Sequence, residues 1–183
     1  MRRDAARLGD LVAVTGPLGT SSGGLRMLAS GLWFNHETMQ TLREAHLRPR
    51  PCLVAGRILA QHGICCSQDI SDGLVRDLGN TCEVSGVATR IDAERVPLAA
   101  SLKEAFPDEA LGLALSGGED YQLLFTAPPD KMRDVLSYLP SGAAVIGEVV
   151  EGIPGTVVVV DAYGRTIPTP FSGWDHFLEA SAT

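Results

Sequence analysis

The sequence predicts an α+β fold, a layered mixed sheet with helices, formed as a single domain over residues 1–183. Three observations carry this expectation. A chain of 183 residues with 45% hydrophobic and 20% charged residues can fill one core and solvate its surface. Strand-like and helix-like segments follow one another in mixed order rather than in strict alternation. Two late apolar runs, residues 143–150 and 156–160, flank Glu151-Gly152-Ile153-Pro154-Gly155 and read as a hairpin.

Taken in order, residues 10–16 open as a strand that ends in a glycine turn. Pro17-Leu18-Gly19-Thr20-Ser21-Ser22-Gly23-Gly24 then reads as loop, and residues 25–30 as helix. The spacing of Gly19 and Gly24 resembles that of a P-loop, but Leu25-Arg26 stands where Lys and Ser/Thr are required, leaving a weak anion site at a helix start as the expectation. Residues 37–45 have helical composition. Pro49 and Pro51 make 46–51 an extended link before a helix over 53–62. A strand containing Cys65 and Cys66, a helix to about residue 83, and a strand over 87–91 follow. Pro97 starts a helix through Leu98, Leu102 and Ala105. A short helix over 107–115 closes at Ser116-Gly117-Gly118 as a left-handed cap. Residues 121–126 form a strong strand candidate, and Pro128-Pro129-Asp130 begins a helix to about residue 139.

Composition narrows the function classes. A net charge of −7 and a pI near 5.0 argue against a nucleic-acid footprint, which needs clustered Lys and Arg. Cys52, Cys65, Cys66 and Cys82 show neither a CxxC pair nor zinc-like spacing with His, so they read as buried free thiols. His46 and His62 read as surface or capping residues. No apolar run approaches a membrane span and no signal peptide follows Met1, so a cytoplasmic address is expected.

Three constellations could carry chemistry. Asp69-Ile70-Ser71-Asp72-Gly73-Leu74 sets two carboxylates at a strand-to-helix junction, with Ser71 as an N-cap candidate and Asp72 in the first turn. Two readings stand open there: plain helix capping, or a site for a metal and a phosphate. Magnesium suits the latter, since it is usually held by one or two carboxylates together with waters and substrate phosphates. Ser116-Gly117-Gly118-Glu119-Asp120-Tyr121 lets backbone approach a ligand closely and holds acids at the mouth of a strand, or else caps a helix. Trp174 in Gly173-Trp174-Asp175-His176-Phe177 either stacks on a flat ring or anchors the C-terminus.

Together these segments resemble a known family. "VTGPLG" at 14–19, "HLRPRP" at 46–51, "DISDGL" at 69–74, "SGGEDYQLLFT" at 116–126 and "GWDHF" at 173–177 follow the order and approximate spacing of thiamine-monophosphate kinase. The chain resembles the C-terminal half of that family, a domain shared with aminoimidazole ribonucleotide synthase and selenophosphate synthetase. The resemblance implies ATP-dependent phosphorylation of thiamine monophosphate to thiamine diphosphate, by direct transfer with several Mg2+ ions. It assigns Asp69 and Asp72 to the metal, Arg3 and Ser71 to ATP, and Glu119 and Trp174 to the substrate. No residue is assigned as a covalent catalyst, in keeping with a transfer that depends on charge neutralisation and in-line positioning. It further implies a homodimer in the full-length enzyme, with no nucleic-acid or membrane partner.

The chain departs from the family pattern at Thr20, where an Asp is usual, at Cys52, where an Arg is usual, and at Gln122, where Glu is frequent. Asp4-Ala5-Ala6 replaces a Ser-Gly-Ala segment after Arg3. The family's N-terminal metal- and nucleotide-binding domain is expected to be absent from this chain, supplied by a preceding or separately encoded half, and the polypeptide alone is expected to lack kinase activity. Asp69 and Asp72 would then be half of a site. Two rivals stand beside this reading: a superfamily relative acting on a different acceptor, such as a selenophosphate or aminoimidazole ribonucleotide synthase-like enzyme, and a non-catalytic ligand- or partner-binding module.

Overall fold

The computed structural model describes residues 1–168 and has the expected α+β architecture. A six-stranded mixed sheet is built from β1 (Leu11–Val14), β2 (Cys66–Asp69), β3 (Ala88–Asp92), β4 (Leu123–Ala127), β5 (Ala144–Val150) and β6 (Val157–Val160). Its order is β2-β4-β1-β5-β3-β6, with every neighbouring pair antiparallel except β3 and β6.

The period-two alternation of the strands decides which face each side chain covers. Val12 and Val14 in β1, with Leu124 in β4, face a core completed by Leu74 and Leu78 of α4 (Leu74–Ser85) and Ala114 of α6 (Ala110–Ser116). Ala13 and Phe125, paired across the strands, face the other side. There they meet Leu59 of α3 (Leu53–Gln61) and Met132 and Val135 of α7 (Pro129–Leu136). A third cluster joins α1 (Thr20–Ser30), α2 (His36–Leu47) and α5 (Ala100–Ala105) through Met27, Leu42, Leu102 and Phe106.

Several local expectations are corrected. Helix α1 begins at Thr20 and includes Gly23 and Gly24, which the sequence places in a loop. Packing overrides glycine's weak helix propensity here: a Cβ on Gly24 would sit 2.1 Å from the Leu42 carbonyl oxygen, so only glycine lets α1 approach α2 this closely. Strands β5 and β6 are not a hairpin, because β3 lies between them and pairs with both. Gly117 is extended (φ −78°, ψ 136°) rather than left-handed. Cys65 is exposed and precedes β2, Cys52 is partly exposed, and only Cys66 and Cys82 are buried thiols. His46 contacts Ser21 Oγ through Nδ1 at 3.2 Å, while His62 pairs with Asp134 at the end of α3. Among the described residues no helix is long and apolar enough to cross a membrane.

Candidate functional site

The β2–α4 junction and the segment between α6 and β4 are laced together by their backbones. Ile70 N–H donates to the Gln122 carbonyl (2.8 Å), Tyr121 N–H to that of Ile70 (2.9 Å), and Glu119 N–H to that of Ser71 (2.9 Å). Such pairing satisfies peptide groups that would otherwise be stranded where two loops meet. The double glycine makes it possible: a Cβ on Gly118 would fall 2.3 Å from the Ser71 carbonyl oxygen. Immediately after it, Glu119 (φ 67°) and Tyr121 (φ 50°) take left-handed backbone conformations. Non-glycine residues adopt that region at a cost, and the lacing holds them in it.

Lacing sets the segments that carry the predicted acids side by side. Asp69 ends β2 with its side chain exposed, Asp72 is half-exposed, and Glu119 sits partly exposed across from Ser71. Tyr121 O–H donates to Glu119 Oε2 at 3.0 Å. That hydrogen bond first, then burial and the charges of Glu119, Asp69 and Asp72, push the phenol above its ordinary range. Asp72 Oδ2 also lies 3.9 Å from Arg76 Nε, a long pair on the exposed side of α4.

Ser71 is not the helix cap that the sequence suggests. Gly73 (φ 116°) occupies the N-cap position and α4 begins at Leu74, which leaves Asp72 outside the first turn. Asp77, one turn into the helix, bends back instead: its Oδ2 accepts from the amides of Ser71 (3.0 Å) and Asp72 (2.9 Å). Burial, opposed by those two hydrogen bonds and assisted by the charges of Asp72 and Asp69, pushes its carboxyl upward. An acid in the first turn of a capped helix was the available signal for this residue, yet sequence reasoning passed over it.

Asp120 was also missed as an individual role. Its carboxylate accepts from Gly19 N–H (2.6 Å) and Ser21 N–H (3.2 Å), capping α1 from 101 residues away. The anion expected at that helix start is therefore a side chain of the protein itself. Burial, only partly offset by the amides, raises its carboxyl to about 6. Gln122 points the same way: Oε1 accepts from Thr15 Oγ1 (2.9 Å) and from Cys52 Sγ (3.2 Å). The departures at Cys52 and Gln122 are thus in contact with each other.

Arg3 lies beside the start of β2, its neighbour Arg2 bridged to Cys66, and its carbonyl accepts from Ser85 Oγ at 3.1 Å. Its side chain is exposed and makes no ion pair among the described residues. Asp69, at the far end of β2, is about 10 Å further along the strand. Trp174 lies outside the described residues. Among those residues no group of three or more His, Cys, Asp or Glu side chains is gathered as a metal-binding set.

Comparison with known proteins finds relatives over nearly all of this chain. The chain is 35% identical over 182 residues to the thiamine-monophosphate kinase of Salmonella typhimurium, covering 97% of this chain and 55% of that protein. Among solved structures, the thiamine-monophosphate kinase of Stenotrophomonas maltophilia K279a superposes with a TM-score of 0.78 at 37% identity, covering 87% of this chain and 52% of its own. AaThiL complexed with AMPPCP and TMP superposes with a TM-score of 0.80 at 37% identity, covering 96% and 53% respectively. This chain spans about half the length of the relatives it matches. Residues 7–160 match the family described as AIR synthase related protein, C-terminal domain, and the chain belongs to that family.

Proposed function

We propose that this domain is the substrate-facing half of an ATP-dependent kinase that converts thiamine monophosphate to thiamine diphosphate. The observation that supports the reading is the lacing of residues 70–71 to 119–122, which joins the segments carrying Asp69, Asp72 and Glu119 in a domain similar to that of thiamine-monophosphate kinases. The solved relative that carries AMPPCP and TMP supports the same pair of substrates for this chain.

The donor set fits Mg2+. Asp69, exposed, and Asp72, half-exposed, offer hard carboxylate oxygens with room for the waters and phosphate oxygens that this ion retains. Bound there, the ion would supply neutralisation of phosphate charge during transfer. Asp77 holds the Ser71–Asp72 backbone in place by gripping two amides, so Asp72 is presented on a fixed turn. Glu119 faces the same surface and would contact the substrate, its carboxylate steadied by the Tyr121 hydroxyl. Arg3 and Ser71 would meet ATP, and Trp174 the thiamine rings. On this reading the full-length enzyme would be a cytoplasmic homodimer, with further carboxylates supplied by an N-terminal domain.

The test is turnover and binding with thiamine monophosphate, ATP and Mg2+, using the 183-residue chain alone and then mixed with an N-terminal domain from the family. Alone, the chain is expected to bind Mg2+ weakly through Asp69 and Asp72 and to produce no thiamine diphosphate. Turnover by the chain alone, or binding of Mg2+ unchanged in Asp69→Asn and Asp72→Asn, would count against the reading.

A further inference from the structure

A cleft of about 610 Å3 opens where the β1–α1 loop, the end of α2 and the start of the 119–122 segment meet. Arg48 and Arg50 line it, together with Thr20, Thr41 and Gln122. Both arginines are exposed, and neither forms an ion pair or side-chain hydrogen bond among the described residues. Each directly precedes a proline, Pro49 and Pro51, which narrows the backbone conformations open to both, and Arg48 itself closes α2 at φ −141°, ψ 60°. This short proline-restricted stretch thus brings two arginines to a single cleft.

Another lining residue, Gln122, is also set for donation. Gln122 Oε1 is occupied by Thr15 and Cys52, which turns the amide so that Nε2 and its two hydrogens are left for a ligand. Two carboxylates border the cleft as well, and both are engaged. Asp120 is held by the amides of Gly19 and Ser21, and Glu44 accepts from Gln40 Nε2 at 3.0 Å.

We propose that this cleft binds a phosphate monoester, with Arg48 and Arg50 on the phosphate and Gln122 and Thr20 as additional donors. Guanidinium forks match phosphate oxygens in pairs, and the volume accommodates a small organic group besides the phosphate. This site needs no metal, unlike the Asp69–Asp72 surface on the other flank of the 119–122 segment.

The experiment titrates the full 183-residue chain with inorganic phosphate and then with β-glycerophosphate, in EDTA, following Arg and Gln side-chain signals by NMR. Saturable shifts at Arg48, Arg50 and Gln122 are expected with both probes, tighter for the monoester. Arg48→Ala and Arg50→Gln should each weaken binding roughly tenfold, the loss expected for one charge-assisted donor group. Arg57→Ala, an exposed arginine on α3, should leave binding unchanged. Asp69→Asn with Asp72→Asn should also leave it intact, which separates this site from the proposed metal surface. Shifts no larger than those from chloride at equal ionic strength would overturn the proposal. So would binding that survives both arginine substitutions, or that disappears with the aspartates. Because both arginines are exposed, their variants should keep the parent amide spectrum; inorganic phosphate bound without the monoester would overturn the assignment to a monoester.

Discussion

Two strand-to-helix junctions in this molecule solve the same electrostatic problem with different parts. At β1–α1 and at β2–α4, amides at a helix start point outwards and favour negative charge. The first junction is filled by Asp120, brought from the far end of the β4 approach. The second is filled by Asp77, from within its own helix. In both places a carboxylate of the protein itself holds amides of the junction, those of Gly19 and Ser21 at the first and those of Ser71 and Asp72, just ahead of α4, at the second. Asp69 and Asp72 lie on the open side of the second junction, and on the proposed reading they would recruit phosphate through a cation rather than directly.

The comparison can be broken first by pH. Asp120 holds its proton up to about pH 6 in the folded state, well above the unfolded carboxyl, so the folded state is favoured at low pH and loses this advantage as pH rises through 6. Urea unfolding of the parent chain and of Asp120→Asn should therefore diverge between pH 4 and 7. The parent should lose stability relative to the variant by about 3 kcal/mol, a shift of roughly two pH units converted to free energy. A parallel pair of curves would show that Asp120 is not buried as a cap.

Next in size is the cap itself. Asp120→Ala should be about 2 kcal/mol less stable than Asp120→Asn at neutral pH, since Asn keeps an acceptor for the Gly19 and Ser21 amides and Ala does not. Asp77→Ala should cost about 1.5 kcal/mol by the same measurement, because it frees two amides of a local turn without separating distant segments. The smallest effect belongs to Asp69 and Asp72, the acids proposed to face the ligand. Asp69→Asn and Asp72→Asn should shift stability by about 0.5 kcal/mol or less while removing Mg2+ binding measured by calorimetry. A large stability loss at Asp72 would make it part of the scaffold and erase the contrast.

Much of this was legible in the chain, and the losses have identifiable physical causes. The alternation of Val12, Ala13 and Val14 and the apolar run before Ala127 mark β1 and β4, because a strand's two faces are a local property. The acids of the candidate site were legible because Asp69 and Asp72 sit beside a break in periodicity. Sheet order was not: the insertion of β3 between β5 and β6 depends on pairing over some 60 residues, although Gly147, whose Cβ would lie 2.0 Å from the Arg90 carbonyl oxygen, is the residue that admits it. The roles of Asp120 and Gly24 were likewise illegible, since each is defined by a partner distant in sequence and not by its neighbours.

The lacing of residues 70–71 to 119–122 has a consequence for motion. With three backbone bonds joining the loops, the amides of Ile70, Glu119 and Tyr121 cannot open one at a time without stranding their partners. They should exchange hydrogen for deuterium at a common rate, as one cooperative unit. A ligand that steadies Asp72 on one strand of the lace would then slow exchange at Glu119 on the other, and the two halves of the surface would respond to occupancy together.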